Sequence, residues 1–177
     1  MSVLVAQPPR KPGRWLVGLV TGLAAVLLDL LPLPGAAGAT VGPSVTLCVV
    51  YFWVVHDPDL LPPMVLFALG LVLDALGGMP PGLSALALLL VRLALLGSRR
   101  LLLAQPFVVV WAGFALVVLG FSAVRWVLAG LWWWHLFALK PSLLEALFTF
   151  AAYPPVGWLL ARFHHGLAPR TARATRG

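Results

Sequence analysis

The sequence contains little charge and almost no cysteine. Cys48 is the single cysteine among 177 residues, which excludes a disulfide framework and a thiolate metal cluster. Charged residues make up 10% of the chain and hydrophobic residues 62%. In soluble domains, about 25% of the residues are charged and about 45–50% are apolar. We therefore predict an integral membrane protein, all-α and polytopic, with no stretch left over for a soluble domain.

Motifs that support catalysis are also missing. No Ser/His/Asp spacing, no Gly-rich loop before a Lys-Ser/Thr pair, and no His-x-x-x-His or Cys-x-x-Cys pair is present. Residues 56–59 hold three side chains of metal-binding type, but three ligands within four residues of a proline-containing turn cannot easily converge on one ion. We predict that the protein is not an enzyme and has no catalytic, metal or cofactor-binding residues.

Apolar runs of nearly the ~20 residues that cross a bilayer occur about six times. We predict spans at about 15–33, 41–55, 61–76, 83–96, 107–131 and from 142 to 162–165. A cleaved signal peptide is an alternative for the first run, although its length exceeds the 7–15 apolar residues usual in such a peptide. The predicted six-helix domain covers residues 15–165, between basic tails at 1–14 and 166–177.

Basic residues determine the predicted orientation, because Lys and Arg favour cytoplasmic loops. With six spans, only two basic residues lie outside, Arg125 and Lys140. Ten lie inside: Arg10, Lys11, Arg14, Arg92, Arg99, Arg100, Arg162, Arg170, Arg173 and Arg176. We therefore predict that both termini are cytoplasmic. Topology accounts for the net charge of +7, so we predict no nucleic-acid binding.

Several residues predict where the spans begin and end. Pro43 is placed near the first turn of the second span, and Asp59 is predicted to cap the third, with Pro62 or Pro63 in its first turn. The fourth span is predicted to end before Gly97. A capping box formed by Ser142 and Glu145 is predicted to open the sixth span.

The most informative stretch lies between the third and fourth spans. Gly70, Asp74 and Gly77 recur at helical spacing, so the carboxylate lies on a stripe of small residues that another helix can approach closely. A Gly/Pro cluster containing Gly78, Pro81 and Gly82 then breaks the chain. We predict that this hairpin forms a groove or face against which the transmembrane helix of a partner packs.

The predicted topology places four charged residues in the outer part of the bilayer: Asp29, Asp74, Arg125 and Glu145. An isolated charge there is expensive, so we predict that one or more of the carboxylates pair with Arg125 in a structural ion pair. The capping box would give Glu145 another role. Proton relay or ion coupling by these groups remains an alternative.

Short motifs along residues 40–160 resemble those of a known family. They lie at residues 51–53, 70–74, 81–86, 99–100, 105–114 and 153–154. In order, length and topology, the chain resembles the rod shape-determining protein MreD family of the bacterial inner membrane.

The resemblance implies a non-catalytic, multi-pass scaffold of the cell-elongation complex, which supports lateral peptidoglycan synthesis. The implied partners are MreC, RodA and its class B penicillin-binding transpeptidase, with MreB contacted indirectly. The basic tail after Arg162 is expected to meet anionic membrane lipid. The family is also similar in fold to the substrate-binding subunits of energy-coupling-factor transporters, and a small-solute-binding subunit with an outward pocket near Asp74 is the alternative function.

Overall fold

The computed structural model of the protein describes residues 14–31, 42–134 and 138–167. These ranges form six α-helices, which lie at Arg14–Asp29 (α1), Val45–His56 (α2), Pro63–Gly77 (α3), Leu83–Leu103 (α4), Phe107–Trp133 (α5) and Leu139–Leu167 (α6). A short 3-10 helix, Pro58–Leu60, precedes α3. The described ranges contain no strand, which confirms the all-α prediction.

Two helical stretches of the described chain, Val108–Trp133 and Leu139–His164, are long and apolar enough to cross a membrane. Helices α2 and α3 are apolar but have only 12 and 15 residues. At ~1.5 Å per residue they are shorter than a ~30 Å hydrocarbon core. Helix α4 has 21 residues and carries three arginines.

Helix α2 lies at the centre of the fold. Every residue from Thr46 to Val55 is buried, and α1, α4 and α6 pack around the helix. A helix that is apolar on all sides is stable only when other elements surround it. Its short length is therefore compatible with a membrane, because neighbouring helices rather than lipid cover it.

The outer faces of the surrounding helices carry large apolar side chains. Val20 in α1, Leu116 in α5 and Trp158 in α6 are each more than 60% exposed. So many exposed large apolar side chains are unusual on a soluble monomer. The arrangement suits a bundle whose outer surface contacts lipid.

Aromatic side chains from three distant segments form the core beside α2. The Tyr51 ring lies 4.9 Å from the Phe114 ring and 5.3 Å from the Tyr153 ring, centroid to centroid. Phe114 and Tyr153 stack at 4.4 Å. These three residues come from the motifs that carry the family resemblance, so those motifs meet in the interior.

A proline in α6 explains another contact. Pro154 has no N–H, so the Phe150 carbonyl four residues earlier loses its helical donor. Trp111 Nε1 donates to that carbonyl at 3.2 Å, and its ring stacks on the Phe150 ring at 4.7 Å. The indole thereby satisfies a partly buried backbone acceptor and joins α5 to α6.

One prediction about a helix start is wrong. Asp59 does not cap α3, because Pro58–Leu60 forms its own 3-10 turn and extended Pro62 is the N-cap. Pro63 opens the helix, as expected for a proline in the first turn. Pro43 lies before α2, whose N-cap is Ser44.

The predicted capping box and the predicted end of the fourth span are also wrong. Helix α6 begins at Leu139, so Ser142 lies inside it, and Glu145 reaches Arg125 instead. Helix α4 continues through Gly97 to Leu103. A glycine inside a helix costs only about 0.5–1 kcal/mol, which packing against α2 and α5 offsets.

Candidate functional site

The tip of the α3–α4 hairpin depends on two glycines with positive φ. Gly78 has φ 65° and ends α3, while Gly82 has φ 99° and precedes α4. Side chains with a Cβ are strained in this left-handed region. The Met79 N–H donates to the Asp74 carbonyl at 3.0 Å, which closes the end of α3.

Asp74 holds this tip from within. Its side chain is fully buried, and its carboxylate accepts the Gly82 N–H at 2.9 Å and the Ser84 N–H at 2.9 and 3.0 Å. These donors belong to the start of α4, where helical N–H groups have no partner in their own helix. Asp74 therefore caps the following helix across the turn.

Gly70 brings the two helices of the hairpin into backbone contact. A Cβ added at Gly70 would lie 2.2 Å from the Ala85 Cα. The close approach expected at this position is made by α4 of the same chain. Gly77, Gly78 and Pro81 are exposed at the tip.

Asp29 and Thr149 bind the N-terminal end of α2. Asp29 accepts the Val45 N–H at 2.5 Å and the Thr46 N–H at 3.2 Å. The Thr149 hydroxyl accepts the Ser44 N–H at 2.8 Å. A carboxylate at a helix N-terminus is favourable because its negative charge is attracted to the positive end of the helix dipole. Asp29, predicted as a partner of Arg125, therefore has backbone partners in α2.

Arg99 binds the opposite end of α2. Its Nε donates to the Val55 carbonyl at 2.7 Å and its Nη2 to the His56 carbonyl at 2.9 Å. A cation is favourable at a helix C-terminus. Arg14 and Asp57 form an ion pair at the same end of the bundle, so basic residues from α1 and α4 converge there.

Arg125 and Glu145 pair between α5 and α6. Arg125 Nη1 lies 2.9 Å from Glu145 Oε1, and the two side chains are 20% and 32% exposed. The Phe121 ring lies 5.4 Å from the guanidinium. Partial burial strengthens such a pair relative to one in water.

A cavity of about 970 Å³ opens at the hairpin end of the bundle. It brings together five of the residues singled out in the sequence, namely Asp29, Gly77, Gly78, Arg125 and Glu145. Gly70, Asp74, Pro81 and Gly82 are not in its wall. Two tryptophans, Trp126 and Trp133, and three serines complete the polar and aromatic lining; the serines are Ser44, Ser122 and Ser142.

A second, apolar groove of about 430 Å³ lies between α4 and α5. One face of each helix forms it, and small residues recur along both faces: Ala87, Ala94, Ser98, Gly113 and Gly120. Sequence reasoning missed this groove and the role of Thr149. The seven-residue spacings from Ala87 to Ala94 and from Gly113 to Gly120 were the available signal for the groove.

Comparison with known proteins gives one match. No curated protein and no solved structure matches the chain, so the expected likeness to energy-coupling-factor subunits stays a prediction. The family model for the rod shape-determining protein MreD matches residues 9–163. That range includes the hairpin, both ends of α2, the ion pair and the groove. The chain therefore belongs to the MreD family, whose members are membrane proteins of rod shape determination.

Proposed function

We propose that this protein is a non-catalytic scaffold of the rod complex, which binds the transmembrane helix of MreC and supports lateral peptidoglycan synthesis. In this proposal it crosses the bacterial inner membrane six times with both termini in the cytoplasm. RodA and the class B penicillin-binding transpeptidase are further partners, and MreB is contacted indirectly. The observation that carries the proposal is the apolar groove between α4 and α5.

The groove has the composition of a helix-packing site. Between helices in lipid, small residues allow close backbone approach, and van der Waals contact then drives association. Gly120 is exposed, and a Cβ at this position would meet no atom within 4 Å. The bulkier Leu116 and Val117 lie beside it in the groove. A single membrane-spanning helix, as implied for MreC, has the shape to fill this space.

Six crossings are supported by the placement of charge. Three arginines lie at the end of the bundle opposite the hairpin tip: Arg14 binds Asp57, Arg92 binds the Pro58 carbonyl, and Arg99 binds the last carbonyls of α2. The positive-inside rule makes that end cytoplasmic. The tip then faces the periplasm, and we propose that the exposed Gly77, Gly78 and Pro81, with Gly82 behind them, meet the periplasmic part of a partner.

Co-purification with tagged MreC tests the groove. Gly120→Leu fills the groove without a clash inside the fold, so we expect recovery of MreC to fall several-fold. Gly97→Leu is the matched control, because Gly97 is also exposed, meets nothing within 4 Å and lies outside the groove. The control should recover MreC like the wild type.

Equal recovery by both variants, at equal membrane levels, would exclude the groove as the MreC site. If neither variant recovered MreC, the loss would not be specific to the groove, because a leucine outside the groove would have the same effect. Either result would redirect the search to the hairpin tip.

A small-solute-binding subunit of an energy-coupling-factor-type transporter is the second candidate function, and the 970 Å³ cavity favours it. Asp74 does not serve as its pocket residue, because its carboxylate is bound to backbone N–H groups inside the hairpin. Mass spectrometry of the purified protein tests this function. A retained vitamin-like compound together with a co-purifying ATPase would support it, and recovery of MreC without either would not.

A further inference from the structure

We propose that the cavity lined by Asp29, Arg125 and Glu145 binds a phospholipid headgroup that carries both a phosphate and a primary amine, that is, phosphoethanolamine. This inference does not depend on the scaffold role. It rests on the charges in the cavity wall, on an unused donor and on the aromatic lining.

Arg125 provides the reason for an anionic group. Its Nη1 is bound to Glu145, but its Nε is buried and has no hydrogen-bond partner among the described residues. A buried guanidinium N–H without an acceptor is costly. A phosphate oxygen is the acceptor that arginine binds most effectively.

The two carboxylates provide the reason for an amine. Asp29 and Glu145 stand in the same cavity wall as Arg125, so a purely anionic ligand would meet two negative charges as well as one positive charge. A carboxylate has about four acceptor positions, and the hydrogen bonds described above use one on Glu145 Oε1 and one on each Asp29 oxygen. A primary ammonium can donate to the positions that remain.

Aromatic and apolar residues favour a lipid over a free solute. Trp126 and Trp133 line the cavity, and tryptophan concentrates at the depth of lipid headgroups, where its ring also attracts ammonium groups. Leu73 and Met79 add apolar wall suited to the glycerol and upper acyl carbons. Leu131, in the same last turns of α5, is 66% exposed.

Native mass spectrometry of the full chain in detergent tests the proposal with three lipids of identical acyl chains. Phosphatidylethanolamine carries phosphate and a primary amine, phosphatidylglycerol lacks the amine, and phosphatidylcholine has an ammonium that cannot donate a hydrogen bond. We expect phosphatidylethanolamine to bind about tenfold more tightly than either of the others. Equal binding of the three would overturn the proposal.

Two matched variants locate the binding site. Ala129→Phe places a ring in the cavity one turn after Arg125, whereas Ala123→Phe places the same side chain on an exposed position of the same helix. We expect Ala129→Phe to abolish the preference for phosphatidylethanolamine and Ala123→Phe to retain it, with both unfolding near the wild-type temperature. Retention of the preference in Ala129→Phe would overturn the assignment to this cavity.

Free glycerophosphoethanolamine separates a lipid from a soluble ligand with the same headgroup. At concentrations equal to the lipid it should not displace phosphatidylethanolamine, because it lacks the acyl chains that contact the apolar wall. If the free headgroup compound displaced the lipid, the proposal that the ligand is a lipid would be wrong.

Discussion

At the scale of single residues, Asp74 acts by its contacts with the backbone. A buried carboxylate without partners would be very costly, but the Gly82 and Ser84 N–H groups both donate to Asp74. The residue therefore ties the hairpin tip to the start of α4. Its neighbour Gly70 acts by having no side chain, which lets the two helices touch.

Asp74→Asn should lower the free energy of unfolding by about 1–3 kcal/mol, because an amide NH₂ would face N–H donors and hydrogen bonds to a charged group would be lost. Thermal unfolding in detergent, followed by tryptophan fluorescence, measures the change. Asp59→Asn is the control, since that side chain is exposed, and it should change stability by at most about 0.5 kcal/mol. Equal stability of the two variants would contradict this role of Asp74.

Gly70→Ala should destabilise the protein by about 1–3 kcal/mol, because the new methyl group would overlap the Ala85 backbone and force the helices apart. Gly77→Ala lies two turns later on the same helical face but has nothing within 4 Å, so it should be close to neutral. The same unfolding experiment compares them. If Gly70→Ala were as stable as Gly77→Ala, the helices would not be in backbone contact.

At the scale of elements, α2 depends on side chains from other helices at both of its ends. Asp29 of α1 and Thr149 of α6 accept its first N–H groups, and Arg99 of α4 donates to its last carbonyls. A 12-residue helix is marginal in isolation. The ends of α2 are thus the points where three surrounding helices are joined.

Arg99→Gln should cost about 1–2 kcal/mol, because two charge-assisted hydrogen bonds and a favourable interaction with the helix dipole are lost. Arg100→Gln is the matched control, since Arg100 is exposed in the same turn of α4. Hydrogen exchange at the amides of the last turn of α2 gives a local readout. If exchange became faster in both variants to the same extent, the cause would be the loss of one positive charge and not the loss of the Arg99 hydrogen bonds.

At the scale of the whole molecule, charge is distributed unequally between the two ends of the bundle, and this difference is the basis of the proposed orientation. Arg14, Arg92 and Arg99 lie at one end, whereas the end with the cavity carries Arg125 already paired with Glu145. Apolar side chains cover the outer faces between these ends. Such a molecule is suited to lipid along its sides and water at its ends.

Cysteine accessibility tests the proposed crossings by α3, α4 and α5. In intact cells stripped of the outer envelope, a membrane-impermeant maleimide should label Met79→Cys and Lys140→Cys. It should label Asp59→Cys and Arg100→Cys only after permeabilisation. Native Cys48 is buried and should remain unlabelled, which makes the wild type the control. Labelling of Met79→Cys and Arg100→Cys from the same side would exclude a crossing by α4.

The sequence by itself determined the helical class, the break at residues 77–82 and the motifs of the MreD family. These depend on composition and short-range pattern, since apolar runs form helices and Gly78 and Gly82 permit left-handed turns. It placed several helix ends wrongly, because Ser142 and Asp59 suit a cap locally while contacts elsewhere set the boundary.

Only the tertiary structure decided the partners of the polar residues. Asp29 binds α2 rather than Arg125, and Ser44 binds Thr149 105 residues later. The cavity and the α4–α5 groove likewise exist only once separate helices pack. Partner choice between distant residues depends on helix positions in space, which local periodicity does not encode.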